Sequence, residues 1–261
     1  MALIRTAFLY ALAQTITMLA SPLVLRLLGG NMLRGMVFGT ILSAAALIYA
    51  GALTSGAFPE GAVAMGILLG LHRAFYRAPY QLEQREVDYG RRQSVVTEIT
   101  LALAPFAAAL LIASAYYYSH LLLFAGVLQI LALVPLLYVP RVQEEYSWSY
   151  RRAFGELVEL RNQALVSHGF FLGITGGLLF FMWPLLLFVF FSPSPIALGA
   201  AFSGTLFLIF AFRYSRARVV IDQHADDATY IDEYTILKEM ALAAGRLTVG
   251  LITATAFAIL F

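Results

Sequence analysis

The sequence predicts an all-α polytopic membrane protein with about eight transmembrane helices, and three observations predict it. First, the 261 residues are 61% hydrophobic and 12% charged, with a mean hydropathy of +0.81; a soluble domain carries about twice that charge fraction. Second, the charge-free runs are long: Thr6–Leu25, Met36–Pro59 and, with His120 neutral, Ile99–Pro140. About 20 apolar residues carry a helix through the hydrocarbon core. Third, positive charge falls in alternate gaps. Arg26 and Arg34 occupy one; Arg73, Arg77, Arg85, Arg91 and Arg92 cluster around the next alternate one. Arg141, Arg151, Arg152 and Arg161 take the third, and Arg213, Arg216, Arg218 and Lys238 the fourth. The gaps between them (Thr54–Gly61, Tyr116–His120, Ser192–Pro195) hold no Arg or Lys. Cytoplasmic loops retain positive charge, so the alternation orients the chain with both termini outside, Arg5 being the one exception. The runs lack the period-2 alternation of a β-barrel.

The spans follow in order. Leu3–Leu28 is closed by Gly29-Gly30-Asn31, and Leu33–Leu53 is the second. The third runs from Phe58 to Tyr80 and the fourth from Gln93 to Ala115, followed by an aromatic turn suited to the membrane interface. The fifth is Leu121–Tyr138, stopped by Pro140. Residues 141–164 form a cytoplasmic linker in which Phe154, Leu157 and Leu160, three apart, predict a short amphipathic helix. Trp148 and the nearby arginines suit the headgroup layer. The sixth span is Leu165–Phe191, with a kink expected at Trp183-Pro184. Ser192–Pro195 breaks the chain before Ile196–Phe212, and Ile236–Phe261 is the eighth. The linker divides the chain into an N-terminal bundle of five spans (1–140) and a C-terminal bundle of three (165–261). The latter carries an Asp-rich cytoplasmic loop at 214–235.

No cysteine is present, which removes disulfides, thiolate metal sites and Cys nucleophiles. No phosphate loop, serine elbow or zinc-binding His-Glu pattern occurs, so no cofactor, metal or enzymatic activity is expected, and no nucleic acid partner. Ionisable residues at membrane depth are the functional candidates. Arg73 and Arg77 share a helix face, reading either as an anion or gating site or as cations snorkelling to the interface. Glu98 is a proton relay or a clamp paired with Arg92 or Arg77. Arg246 is the deepest candidate charge, and Gly245 beside it thins the helix for close packing. Glu60 reads as a first-turn acid favoured by the helix dipole. Gln14, Thr15 and His168 line a cavity or join helices by hydrogen bonds. Asp222, His224, Asp226, Asp227 and Asp232 form one acidic cluster, read as a solvated loop; a lipid-linked transferase would need a second cluster to hold metal and diphosphate.

The order of these features resembles the major facilitator superfamily. Pro22–Arg34, with Arg26, Gly29 or Gly30, and Arg34, is similar to that family's turn between its second and third spans, although the family's usual Asp is missing. Gly90-Arg91-Arg92 followed by Ala104-Pro105 is similar to the entry to the fifth span, and Val134-Pro135 through Pro140 to the sixth span and central loop. Trp183-Pro184-Leu185 and Leu198-Gly199 look like the start of the second half. Tyr230–Arg246, with Lys238-Glu239 and Gly245-Arg246, resembles the lead into a late span. A full member has twelve spans. The resemblance therefore implies a reduced or truncated, incomplete two-bundle transporter that starts at the second span and skips from the eighth to the eleventh.

The expected function is transport of a small molecule or ion in the bacterial cytoplasmic membrane, by rocking of two bundles about a midplane site. Arg73, Arg77, Glu98 and Arg246 are the expected gating or coupling charges. The other open readings are a membrane assembly protein completed by a second copy or a partner subunit, and the lipid-linked transferase.

Overall fold

The computed structural model describes residues 2–53, 60–86, 91–114, 118–138, 146–191, 194–216 and 231–260. Among them the regular structure is helical. In chain order it comprises α1 (Ala2–Leu27), α2 (Met32–Leu53), α3 (Glu60–Glu86), α4 (Arg91–Ala113), α5 (Tyr118–Leu131) and the one-turn α6 (Leu133–Leu136). There follow α7 (Tyr150–Val158), α8 (Gln163–Gly177), α9 (Trp183–Phe191), α10 (Pro195–Arg216) and α11 (Ile231–Leu260). The chain is an all-α polytopic membrane protein: six helical stretches are long and apolar enough to cross a bilayer. The apolar part of α10, Pro195–Phe210, is shorter, but α10 lies antiparallel along α4, with Gly199 at Ala109 and the Ser203 hydroxyl accepting from the Phe106 amide at 3.0 Å. The charged α3 runs parallel to α1, with Gly66 against Leu12, then Gly70 against Ala13 and Ile16. Among the described residues these two helices therefore run alongside candidate spans without themselves being long and apolar enough to count as such.

Neighbours follow the order α8–α11–α1–α3–α2–α5, while α4 and α10 form a second unit that touches α5 and α9 at its edges. The helices on either side of the linker thus meet in two extensive contacts, α1 with α11 and α4 with α10. α3 is flanked by α1, α2 and α11. That shelter is what lets the most polar long helix carry Arg73 at mid-helix: its guanidinium faces Tyr10 of α1 rather than acyl chains.

Glycine sets the spacing. A Cβ on Gly39 would lie 2.7 Å from the Tyr76 Cβ, and one on Gly70 2.6 Å from the Ala13 carbonyl oxygen. Along α8, Gly169, Gly173 and Gly177 recur every fourth residue and abut Ala241, Leu242 and Val249 of α11. Gly245 answers from α11, where a Cβ would overlap the Phe170 carbonyl. With no hydrophobic drive between helices in lipid, such backbone approach is what holds a membrane pair together. The turn between α1 and α2 also needs glycine: Gly29 and Gly30 have φ of 56° and 74°, a region other residues avoid. Asn31 then caps α2, its Oδ1 accepting from the Arg34 amide at 3.0 Å.

The linker forms an amphipathic helix, α7, whose Phe154 and Leu157 pack on the bundle as expected, but it ends at Val158, and Leu160 lies exposed in the following 3-10 turn. Ser149 caps α7 by accepting from the Arg152 amide at 3.3 Å. Trp148 departs from expectation. It is 5% exposed, enclosed with Met32, Ala78, Leu82, Ile236 and Met240 at the arginine-bearing ends of α2, α3 and α11. Arg152, 5.5 Å from its ring centroid, covers it. A side chain with this much apolar area is better stabilised by closing the bundle end than by an interface. Glu156 clamps the linker: Arg161 Nη2 is 2.6 Å from both carboxylate oxygens, and Asn162 donates at 2.8 Å. Burial opposes its ionisation, but donation from Arg161, Asn162 and Arg152 outweighs it and holds the carboxyl below the usual range. Nearby, burial and then the Glu233 carboxylate push the Tyr146 phenol well up.

The sixth span contains a π-helical turn, Leu178–Met182, immediately before Trp183-Pro184. Pro184 lacks an amide hydrogen and its ring would crowd the carbonyl of Phe180 in a regular α-helix. The wider turn accommodates both.

Candidate functional site

Polar residues within α1, α3 and α11 follow the helical period. On α1, Tyr10, Gln14, Thr17 and Ser21 fall on one face; on α3, Arg73, Arg77 and Gln81 do; on α11, Glu239 and Arg246 lie two turns apart. Packing turns these stripes toward one another. At 1.5 Å per residue, Arg73 lies about 20 Å from the start of α3 and Arg246 about 22 Å from the start of α11, both near mid-helix.

The half nearer the arginine-bearing ends is paired. Glu239, 2% exposed, lies 3.7 Å from Arg77 Nη1 and accepts from Gln81 Nε2 at 2.5 Å. This joins α3 to α11, which lie on opposite sides of the linker in the sequence. The half nearer the centre is unpaired. Arg73 reaches back along α3, as helical side chains do, and its guanidinium stands 5.5 Å from the Tyr10 ring centroid. Its Nη1 is buried without a hydrogen-bond partner. Gln14 is 0% exposed, and neither its amide oxygen nor its amide nitrogen has a partner. Each unsatisfied buried group costs roughly 1–3 kcal/mol. Arg246 lies beside Gly176 and forms no ion pair with a described residue. It is within electrostatic reach of Arg77, Glu239, Tyr10 and Arg73. Glu239 thus faces Arg77 and lies within electrostatic reach of Arg246, while Arg73 meets Tyr10 instead.

The π turn reaches this cluster. Phe181 stacks on Tyr10 with ring centroids 3.9 Å apart and planes 5° from parallel, so Tyr10 is held between Phe181 and Arg73. On the other side of α3, His72 Nδ1 donates to the Gly39 carbonyl at 2.7 Å, tying α3 to α2. Thr17 Oγ1 contacts both the Ala13 and Gly70 carbonyls, at 2.8 and 3.1 Å.

Of the sequence candidates, the structure brings Arg73, Arg77 and Arg246 within electrostatic reach of one another; Gln14 is buried one turn beyond Tyr10 on the same face of α1. Glu98 stands apart on α4, which packs chiefly on α10, and forms no ion pair with a described residue. Thr15 donates to the Ala11 carbonyl of its own helix at 3.0 Å. His168 is exposed on α8. The side chains of Glu60, Arg92 and Asp232, and the loop residues Asp222, His224, Asp226 and Asp227, lie outside what is described. No cluster of three potential metal ligands occurs among the described residues. Tyr10, His72, Gln81 and the role of Glu239 were missed by sequence reasoning; the polar stripes at helical spacing are the signal that would have found them. Compared with protein-family models, curated proteins and solved structures, the chain matches none.

Proposed function

We propose that the chain is a reduced facilitator-type secondary transporter for a small solute. In this reading it lies in the bacterial inner membrane with its arginine-bearing ends in the cytoplasm and both termini outside. One observation carries the proposal: a polar, incompletely paired cluster at mid-helix depth lies between α1 and α3 on one side of the linker and α11 on the other. Secondary transporters place their sites near the midplane between such groups of helices. The Arg77–Glu239 pair crosses that boundary on the cytoplasmic side of the unpaired groups. It serves as the inner gate, parting when the two groups of helices rock and re-forming when they return. The glycine seam between α8 and α11 keeps those two helices moving together.

Proteoliposomes of the purified protein, adsorbed on a solid support, test the reading with rapid jumps of inorganic phosphate, dicarboxylates, amino acids and sugars. An entrapped pH dye reports electroneutral exchange. The expected result is a current or pH signal for at least one class, lost in Arg246→Ala at equal incorporation. Signals equal to those of empty liposomes for every class would sink the proposal.

A further inference from the structure

We infer that the unpaired half of the cluster is a binding site for an oxyanion, a carboxylate or phosphate group held by Arg73 and Arg246 with Gln14 as hydrogen-bonding partner. The inference rests on the transport reading for its use, but the binding it asserts is separate from flux. Three features point to an anion. Among the described residues Glu239 is the one carboxylate facing these arginines, and it is already committed to Arg77 and Gln81. Arg73 Nη1 and both polar atoms of Gln14 are buried without partners. The Tyr10 ring, stacked on Phe181, lies against the Arg73 guanidinium, whose Nη1 remains without a partner.

Charge and geometry choose the ligand class. Unbalanced cations in a low-dielectric interior attract an anion strongly. A guanidinium fork matches two oxygens of a carboxylate or phosphate, whereas a spherical halide uses the fork poorly. The amide of Gln14 donates to the same oxygens or accepts from a hydroxyl beside them. Such an oxyanion has two sources, a soluble solute or the phosphate of a lipid headgroup.

The test is binding by the full chain in nanodiscs, read as thermal unfolding. In phosphatidylcholine discs, inorganic phosphate and succinate are compared with potassium chloride at equal ionic strength. In a second arm the discs contain phosphatidylglycerol and no added oxyanion. Specific stabilisation by phosphate or succinate identifies a soluble source. Stabilisation only by phosphatidylglycerol, lost in Arg73→Gln, identifies the headgroup. Arg73→Gln and Arg246→Gln are expected to weaken binding by about tenfold or more, as loss of a charged hydrogen bond implies. Gln14→Leu covers the case in which the arginine variants do not fold. It removes two unsatisfied atoms, so it raises the unfolding temperature without ligand while lowering affinity, a combination that a purely structural residue does not produce. No ligand-specific stabilisation in either arm, or full affinity in Arg73→Gln and Gln14→Leu, overturns the inference. Binding without flux defeats transport alone; flux without oxyanion binding defeats only this site.

Discussion

Neutralising Glu239 is the sharpest perturbation of the bundle. Glu239→Gln removes the carboxylate that faces Arg77 while preserving shape. The Arg77 side chain is 39% exposed and its nitrogen sits 3.7 Å away. The pair therefore falls between the ~0.2–1 kcal/mol of an exposed bridge and the ~3–5 kcal/mol lost when a buried one is broken, at about 2 kcal/mol. The Gln81 contact weakens from a charged to a neutral hydrogen bond, about 1 kcal/mol more. A loss of about 3 kcal/mol corresponds to roughly 6–12 °C in a chain of this size. Thermal unfolding in detergent, followed by tryptophan fluorescence, measures it. In Arg77→Gln/Glu239→Gln the stranded cation is gone as well, so the double variant is expected to be more stable than the two single losses summed, by about 1 kcal/mol or more. A Glu239→Gln protein within about 2 °C of wild type, or strict additivity in the double variant, refutes the reasoning.

Two further outcomes follow from the packing and the linker. Gly245→Ala, whose new methyl overlaps the Phe170 carbonyl, is expected to cost about 1–3 kcal/mol by overpacking. Gly155→Ala on α7, with nothing within 4 Å, is neutral or gains up to about 1 kcal/mol. Equal unfolding temperatures for the two variants contradict the glycine seam. Acidification is expected to loosen the linker. The carboxyl of Glu156 is held below its ordinary value of 4.5, so its contribution is present above that value and is lost as pH falls through the lower folded value. In a Trp183→Phe background, Trp148 fluorescence should show this acid transition, and Glu156→Gln should abolish it. An identical transition in both proteins assigns the acid step to another group.

The comparison of sequence and structure divides by kind of interaction. Span existence was legible because it depends on composition over about 20 residues: the expected Leu33–Leu53 is α2 at Met32–Leu53, and Ile236–Phe261 is α11 at Ile231–Leu260. Ends were less legible. α3 continues past Tyr80 to Glu86 because polar Gln81, Glu83 and Gln84 extend a helix beyond the apolar run. Trp148 was misplaced because a Trp beside arginines suits an interface and a capped bundle end alike. The π turn was read as a kink because proline marks the conflict but not its resolution.

The sequence by itself determined an all-helical chain with several runs long and apolar enough to cross a bilayer, their order, and where charges fall along its helices. These follow from hydropathy, run length and helical rise, all local quantities. Only the tertiary structure decided what those charges meet. Apolar runs specify helix rotation poorly because lipid and neighbouring helices are equally greasy. Glycine contacts such as Gly70 on α1 and Gly245 on α8 set the rotation instead. Once set, it turned Arg77 to Glu239 rather than to Glu98, and enclosed Gln14 and Arg73 Nη1 without partners.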